Sequence, residues 1–273
     1  MRFVFVVGGL GNQMFQYALL LALRNNKHRV MMELGYYDIS NGHYGFELQR
    51  VFGIKEKTDN FNRRSLNSLC FRLLNKTIPN MVCYEDDSVY NAELLFKPRK
   101  YIKGFWQDER YFNAIRQRVI EVFKFRDIDE CNLAVAEELK NCNSVSLHIR
   151  RGDYITYGFP IVDVEYYKRA IEYVSDRILN PVFYVFSDDC CAAESLMRNI
   201  GVGYILITHN KGNDSYKDMY LMSQCQHNII ANSSFSWWGA WLNQNKDRIV
   251  VAPRNWDERN PGFHPQSSDW TLL

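Results

Sequence analysis

The chain has 273 residues, 47% of them hydrophobic, enough to bury one large core or two smaller ones, and usual domain sizes make two the expectation. Charge is nearly balanced, Lys+Arg 33 against Asp+Glu 31 for a formal net charge of +2, so no polyanion-coating surface is indicated and nucleic acid is not an expected partner. The seven cysteines (70, 83, 131, 142, 190, 191, 225) are odd in number and lack CxxC spacing, which argues against a disulfide framework and a structural zinc site and favours a reducing cytoplasm.

Residues Arg2 to Val7 read as a buried first strand, because the apolar run is too short for a signal-peptide core and meets Gly8-Gly9 at once. Gly8-Gly9-Leu10-Gly11-Asn12-Gln13 then turns into a helix from Asn12 to about Asn26, followed by a strand from Arg29 to Glu33. Gln16 interrupts the apolar run Met14 to Leu23 and Arg24 closes it, well short of the ~20 residues that cross a bilayer, so any membrane contact is expected to be peripheral. Glycines in such a turn admit positive φ and close approach of a ligand, and the helix start offers free N–H groups. Gly9-x-Gly11 followed by Glu33 also fits part of a dinucleotide fingerprint, although Met14 stands where its third glycine would pack helix on strand. A tight turn with no ligand is the third reading of these residues.

The middle of the chain is less regular. Tyr36 to Arg50 is polar and aromatic without a period, Asn60 to Ser65 reads as a loop leading into a helix, and Arg63 to Asn75 and Glu109 to Phe123 have helical spacing. Between the last two lies Gly104-Phe105-Trp106-Gln107-Asp108-Glu109-Arg110-Tyr111-Phe112. Aromatic rings interleaved with carboxylates and amides suit a carbohydrate, whose apolar faces stack while its hydroxyls hydrogen-bond, so Trp106 and Gln107 are the expected acceptor contacts. A helix start with buried aromatics is the bland alternative. The apolar pattern lapses at Arg126 to Asn132 and again at Lys140 to Asn143, and the domains are drawn as 1–140 and 141–273.

From Val145 the pattern alternates short β-branched or aromatic runs with helical spacings: Val145–Ile149, Val164–Ile178, Val182–Ser187, Cys190–Ile200, Tyr204–Ile207, Tyr216–Cys225, Asn228–Ala231, Phe235–Asn243 and Ile249–Ala252. That alternation predicts a parallel sheet, and the continuously apolar strands predict helices on both its faces, hence an α/β, Rossmann-like domain.

Three segments of this half carry chemistry. His148-Ile149-Arg150-Arg151-Gly152-Asp153 ends a strand, where open α/β sheets bind ligands. An arginine fork matches the oxygens of a phosphate. Neighbours in extended chain point opposite ways, so Arg150 is expected on the ligand and Arg151 in the loop's bracing. A solvated surface ion pair is the rival reading. Phe183 to Asp189 runs a buried strand into Ser187-Asp188-Asp189; one acidic residue serves as helix N-cap, leaving Asp188 for the ligand, where a carboxylate accepts paired donors from a guanine edge. Asn228 to Leu242 is a strand, a polar loop and an aromatic helix, whose Ser233, Ser234 and Phe235 are placed near the ligand while Trp237, Trp238 and Trp241 are expected to be core.

Taken together, Gly8-Gly-Leu-Gly-Asn-Gln-Met-Phe-Gln-Tyr-Ala18, Gly104-Phe-Trp-Gln107, His148-Ile-Arg-Arg-Gly-Asp153, Phe186-Ser-Asp-Asp189 and Asn232-Ser-Ser-Phe-Ser-Trp-Trp-Gly239 resemble the inverting α-1,2-fucosyltransferases of bacterial O-antigen and capsule type, over nearly the whole chain. The arginine motif is shared with α-1,6- and protein O-fucosyltransferases. The resemblance implies a GT-B-like fold of two Rossmann-like domains facing a cleft, and transfer of L-fucose from GDP-β-L-fucose to the 2-hydroxyl of a galactoside, free or lipid-linked, with inversion and without a metal. It implies Arg150 on the β-phosphate, His148 and Asp188 near the guanosine, Ser233, Ser234 and Phe235 about the donor, and Gly9, Gly11 and Asn12 closing over it. It also implies a cytoplasmic enzyme, at the inner face of the membrane where its acceptor is lipid-linked.

Other readings compete with parts of this. Asp127-Ile128-Asp129 has the DxD spacing that holds a nucleotide-bound cation in another transferase class, but follows no apolar strand. Inversion calls for a proton acceptor, for which Asp153, Asp163 and Glu165 are the nearby carboxylates. Tyr154 to Gly158 lacks the glutamate of the α-1,6 enzymes' motif, which leaves open a loose mechanism with water accepting the proton late. A nicotinamide-dependent oxidoreductase resting on Gly9, Gly11 and Glu33, and a nucleotide-sugar-binding module without turnover, are the rival functions.

Overall fold

A computed structural model describes residues 1–38, 44–59, 78, 81–86 and 88–273, without the side chains of Asp59, Asp153 and Tyr157. The expected helix Arg63 to Asn75 and the loop Asn60 to Ser65 lie outside the described residues, as does part of Tyr36 to Arg50. The chain forms two compact units, Met1–Arg126 and Asp127–Leu273.

The first unit is built on a parallel sheet of β1 (Arg2–Phe5), β2 (Val30–Glu33), β3 (Thr58–Asp59), β4 (Val82–Tyr84) and β5 (Tyr101–Lys103), in the order β3-β2-β1-β5-β4. Helix α1 (Leu10–Asn25) is buried almost all round, as expected of a helix apolar on every face, and Arg24 in its last turn pairs with Glu56 at 2.6 Å. A short helix α2 (Leu48–Phe52) ends at Gly53, whose φ of 68° is the left-handed C-cap conformation. The region Glu109 to Phe123 is two single tight turns, Glu109–Tyr111 and Asn113–Ile115, before helix α3 (Arg116–Val122), rather than one continuous helix. The Asp108 side chain caps the first of these turns by accepting Arg110 N–H.

The second unit opens with α4 (Glu130–Lys140), whose buried residues Asn132, Ala136 and Leu139 share one face at i, i+4, i+7 spacing. Ala136 and Leu139 pack against Tyr184, Phe186, Leu221 and Met222, so α4 belongs with the second unit and the division falls at 126/127 rather than at 140. The sheet comprises β6 (Ser144–Ile149), β7 (Val182–Ser187), β8 (Tyr204–Leu206), β9 (His227–Ile229), β10 (Val250–Ala252) and β11 (Thr271–Leu272), parallel throughout in the order β11-β10-β9-β6-β7-β8. The first strand, β6, thus lies inside the sheet with the second and third to one side and the fourth to sixth to the other, the dinucleotide-fold order.

Connecting helices are α5 (Gly152–Tyr157), α6 (Val164–Ser175), α7 (Cys190–Ile200), α8 (Tyr216–Gln224) and α9 (Ser234–Leu242). Strand alternation sorts the core: Phe183 and Val185 join Val145, Leu147 and Ile149 on the face covered by α6 and α7, while Tyr184 and Phe186 face α4 and α8. Trp237, Trp238 and Trp241 are buried and mutually packed, with Trp237 Nε1 donating to Pro265 O at 2.7 Å. No helix among the described residues is long and apolar enough to cross a membrane.

Candidate functional site

In a parallel sheet the loops after two neighbouring strands diverge where strand order reverses, and the gap between them is the ligand crevice. In the second unit that point lies between β6 and β9, so the arginine loop and the Asn232-Ser233-Ser234 loop flank it. Tyr154 in α5 donates its hydroxyl proton to Asn232 O at 2.8 Å, and Asn232 Nδ2 donates to Pro160 O at 2.9 Å and Trp256 O at 3.0 Å. These clips join the two loops, and sequence reading missed both as site elements.

His148 is the penultimate residue of β6, on the face opposite Leu147 and Ile149, 3% exposed, its ring 5.9 Å from that of Phe235. Burial and the Arg150 charge push its pKa down to about 3, so it is a neutral imidazole at physiological pH, and its Nδ1 has no partner among the described residues. Arg150 Nη1 meets Asp188 Oδ2 at 3.1 Å, and its guanidinium lies 5.4 Å from the centre of the Tyr154 ring. Asp188 Oδ1 also accepts Arg151 N–H at 3.0 Å, and a Cβ added at Gly152 would meet Asp188 Oδ2 at 2.8 Å. Asp188 is thus the brace of the arginine loop rather than a carboxylate open to a base edge. Asp189 caps α7 through Ala192 N–H at 3.0 Å.

Ser233 is buried as the N-cap of α9, its hydroxyl accepting Phe235 N–H at 3.3 Å. Ser234 and Phe235 are half-buried at the first turn, where unsatisfied N–H groups and the helix dipole favour an anion. Asp153 lies in α5, and its side chain is outside the described residues. Asp163 is the N-cap of α6, accepting Tyr166 N–H at 2.8 Å, and Glu165 is held by Lys168 at 2.8 Å. Asp127 has φ 55°, while Asp129 caps α4 and binds Lys217 at 2.8 Å, which holds its carboxyl well below the usual range. The DxD spacing therefore serves a helix start and an ion pair.

Asp218 in α8 is a carboxylate that sequence reading missed; its one hydrogen-bonding partner among the described side chains is Asn210 Nδ2 at 2.8 Å, at the end of the sheet beyond β8. Desolvation raises its pKa to about 7. In the unfolded chain an aspartate titrates near ~4, so stability is expected to fall as pH rises through the window from about 4 to about 7 and then level off. Asp218→Asn is expected to flatten that decline. Thermal unfolding of ligand-free protein between pH 5 and 8 checks it, and parallel curves for both proteins would contradict it.

In the first unit the reversal lies between β1 and β5, which puts the glycine loop beside Gly104-Phe105-Trp106-Gln107. Gln107 Nε2 donates to Asn12 Oδ1 at 2.7 Å, joining the two segments. Gly9 is the N-cap of α1 and Gly11 is buried in its first turn, but the helix start is not open. The buried Glu47 carboxylate accepts Leu10 N–H, pairs with Arg50, and is pushed up in pKa by desolvation. The chain's own anion thus occupies the place expected for a ligand's phosphate. Glu33, 3% exposed, accepts Gly35 N–H at 2.8 Å, so the acid required by the dinucleotide reading is spent on its own turn. Trp106 is 1% exposed with φ 58°, packed edge-on against Tyr111 at 5.6 Å, and so cannot offer its face to a sugar. Such a conformation in a bulky residue costs about 1–3 kcal/mol and persists only where its surroundings enforce it.

Paired Rossmann-like sheets with reversal-point crevices are the GT-B plan, and the fold is that of a glycosyltransferase. The chain belongs to glycosyl transferase family 11, whose model matches residues 71–269. The O-antigen biosynthesis glycosyltransferase WbnK of Escherichia coli is 37% identical over 97% of this chain and 98% of its own length. An alpha-1,2-colitosyltransferase of Escherichia coli is 33% identical over 98% and 97%. The human galactoside alpha-(1,2)-fucosyltransferase 1 is 26% identical over 91% of this chain and 67% of its own. Among solved structures, the fucosyltransferase NodZ from Bradyrhizobium matches 87% of this chain and 91% of its own with a TM-score of 0.50 at 12% identity, a likeness of fold.

Proposed function

We propose that the chain transfers L-fucose from GDP-β-L-fucose to the 2-hydroxyl of a terminal galactoside, inverting the anomeric carbon, without a metal ion, at the cytoplasmic face of the membrane where its acceptor is lipid-linked. Membership of family 11 and the activities named for its relatives support the reaction. The observation that carries the site is the Arg150 guanidinium held by Asp188 and lying near the ring of Tyr154, whose hydroxyl donates to the Asn232 carbonyl ahead of α9.

As the glycosidic bond breaks, negative charge gathers on the β-phosphate while the sugar becomes oxocarbenium-like. A preorganised guanidinium there stabilises the transition state more than the ground state. Ser234 and the N–H groups of α9 add donors on the opposite loop. Neutral His148, packed on Phe235, flanks the nucleoside, and Asp218 in place of Asp188 accepts the paired N–H donors of the guanine edge. Since Asp163 and Glu165 are engaged elsewhere, Asp153 is the carboxylate of this stretch assigned to the acceptor proton.

The test is release of GDP from GDP-fucose with lactose as acceptor, in EDTA, against a control without lactose. Acceptor-dependent release at the same rate with and without EDTA is expected, with the linkage fixed by product NMR; strict dependence on added Mn²⁺ would overturn the metal-independent mechanism. The relationship to a colitosyltransferase favours one second reading, a GDP-linked donor lacking the sugar's 3-hydroxyl. A kcat/KM higher for GDP-colitose than for GDP-fucose would select it.

A further inference from the structure

The geometry points to Phe105, not Trp106, as the ring on which the acceptor sugar stacks, with Glu85 as the residue that positions it. This rests on the galactoside-transfer reading and concerns the first unit's own crevice.

Phe105 is 41% exposed although it sits between a strand end and a fully buried tryptophan. The backbone around it is held in place from both sides. Gly104 has φ 153°, and a Cβ there would come within 2.3 Å of Glu85 Cβ, so the Glu85 side chain fills the space that a side chain at 104 would need. The Glu85 carboxylate accepts the Phe105 N–H. On the other side Trp106 sits in the left-handed region, and its carbonyl accepts Asp108 N–H at 2.8 Å, a tight turn that swings Gln107 onto Asn12. Trp106 is thereby driven into the core while the Phe105 ring stays exposed, on the segment that follows β5 at the sheet's reversal point and that carries the Gln107 amide fixed on Asn12.

Backbone strain maintained around an exposed aromatic side chain marks a binding position rather than a packing one. An exposed apolar ring, two residues along the chain from a fixed amide, suits a pyranoside presenting one continuous C–H face and a polar rim. Galactosides have that shape, because the axial 4-hydroxyl leaves carbons 3, 4 and 5 bare on the opposite face.

The experiment compares wild type, Phe105→Ala and Phe105→Tyr. It uses initial rates with varied lactose at saturating GDP-fucose, and calorimetry with GDP. For Phe105→Ala the lactose KM is expected to rise tenfold or more with GDP affinity within twofold of wild type, and Phe105→Tyr, which keeps a ring face, is expected to restore KM to within about threefold. A lactose KM for Phe105→Ala within twofold of wild type overturns the assignment. Wild-type protein that binds GDP but does not use lactose overturns the galactoside class of the subsite. Failure of the wild type to bind GDP overturns the transferase reading itself, and this inference with it.

Discussion

Replacing Arg150 by alanine is expected to lower kcat by a hundredfold or more, about 2.7 kcal/mol of transition-state stabilisation, with a smaller change in the KM for GDP-fucose. The asymmetry follows from when the charge appears. On the proposed reaction the ground-state pyrophosphate charge is shared over many oxygens and met by the serine loop as well, whereas in the transition state the new charge is concentrated on the oxygens assigned to Arg150. Arg150→Lys retains the charge without the planar fork and is expected to recover only part of the loss, since an ammonium cannot bind a phosphate oxygen and the Asp188 carboxylate in one fixed geometry. Asp188→Asn keeps Arg150 and loosens it, so a smaller drop in kcat is expected. The double variant should be little worse than Arg150→Ala alone, because Asp188→Asn keeps an oxygen for Arg151 N–H and what it loses is the pairing with Arg150. Near-wild-type turnover by Arg150→Ala would remove the central residue of the site.

The parts of this fold that were legible in the sequence are those whose signal is local. Val182–Ser187 and Cys190–Ile200 emerge with the boundaries expected, because a strand covered on both faces is continuously apolar and Asp189 marks the helix start. The short strands Val82–Tyr84, Tyr101–Lys103 and Thr271–Leu272 went unread, since runs of two or three residues become strands only by pairing with distant partners. Helix α4 was hidden because two of its three buried positions are Asn132 and Ala136 rather than large apolar residues.

In the candidate site, residue types suggested a chemistry but did not reveal their partners. That Arg150 ends a strand is visible in the chain order; that Asp188 holds it depends on β6 pairing with β7 in register, Ile149 opposite Ser187. Likewise the composition of the aromatic segment after β5 was legible, but that Trp106 is buried while Phe105 is exposed is set by a backbone conformation that no local pattern reveals. Glu47 occupies the N-terminus of α1 from a distant stretch that carries no periodic signal.

Gln16 shows how much such a distant partnership can matter. In the sequence it merely breaks an apolar run, yet in the fold it is fully buried, its Oε1 accepting Val7 N–H at 2.9 Å and its Nε2 donating to Gly104 O at 2.9 Å. One amide thus ties the end of β1 to the end of β5 at the reversal point of the sheet. Gln16→Leu is expected to destabilise the first unit by about 3 kcal/mol, because two backbone groups lose their partner at roughly 1–3 kcal/mol each while the gain in side-chain hydrophobicity recovers part of the cost. For a unit of this size that lowers its unfolding midpoint by about 10 °C. Gln16→Glu is expected to cost at least as much, since an ionised carboxylate would face the Gly104 carbonyl in a dry site and a protonated one would satisfy both groups only in a single orientation. The same change releases Gly104, on which the outward setting of Phe105 depends. At a temperature where the variant is folded, its lactose KM should therefore rise while GDP affinity, assigned in the proposed function to the second unit, is unchanged. Denaturant unfolding and the two binding measurements separate these effects. A loss below 1 kcal/mol with an unaltered lactose KM would show that the amide bridge neither holds the two loops together nor sets the position of the ring beyond them.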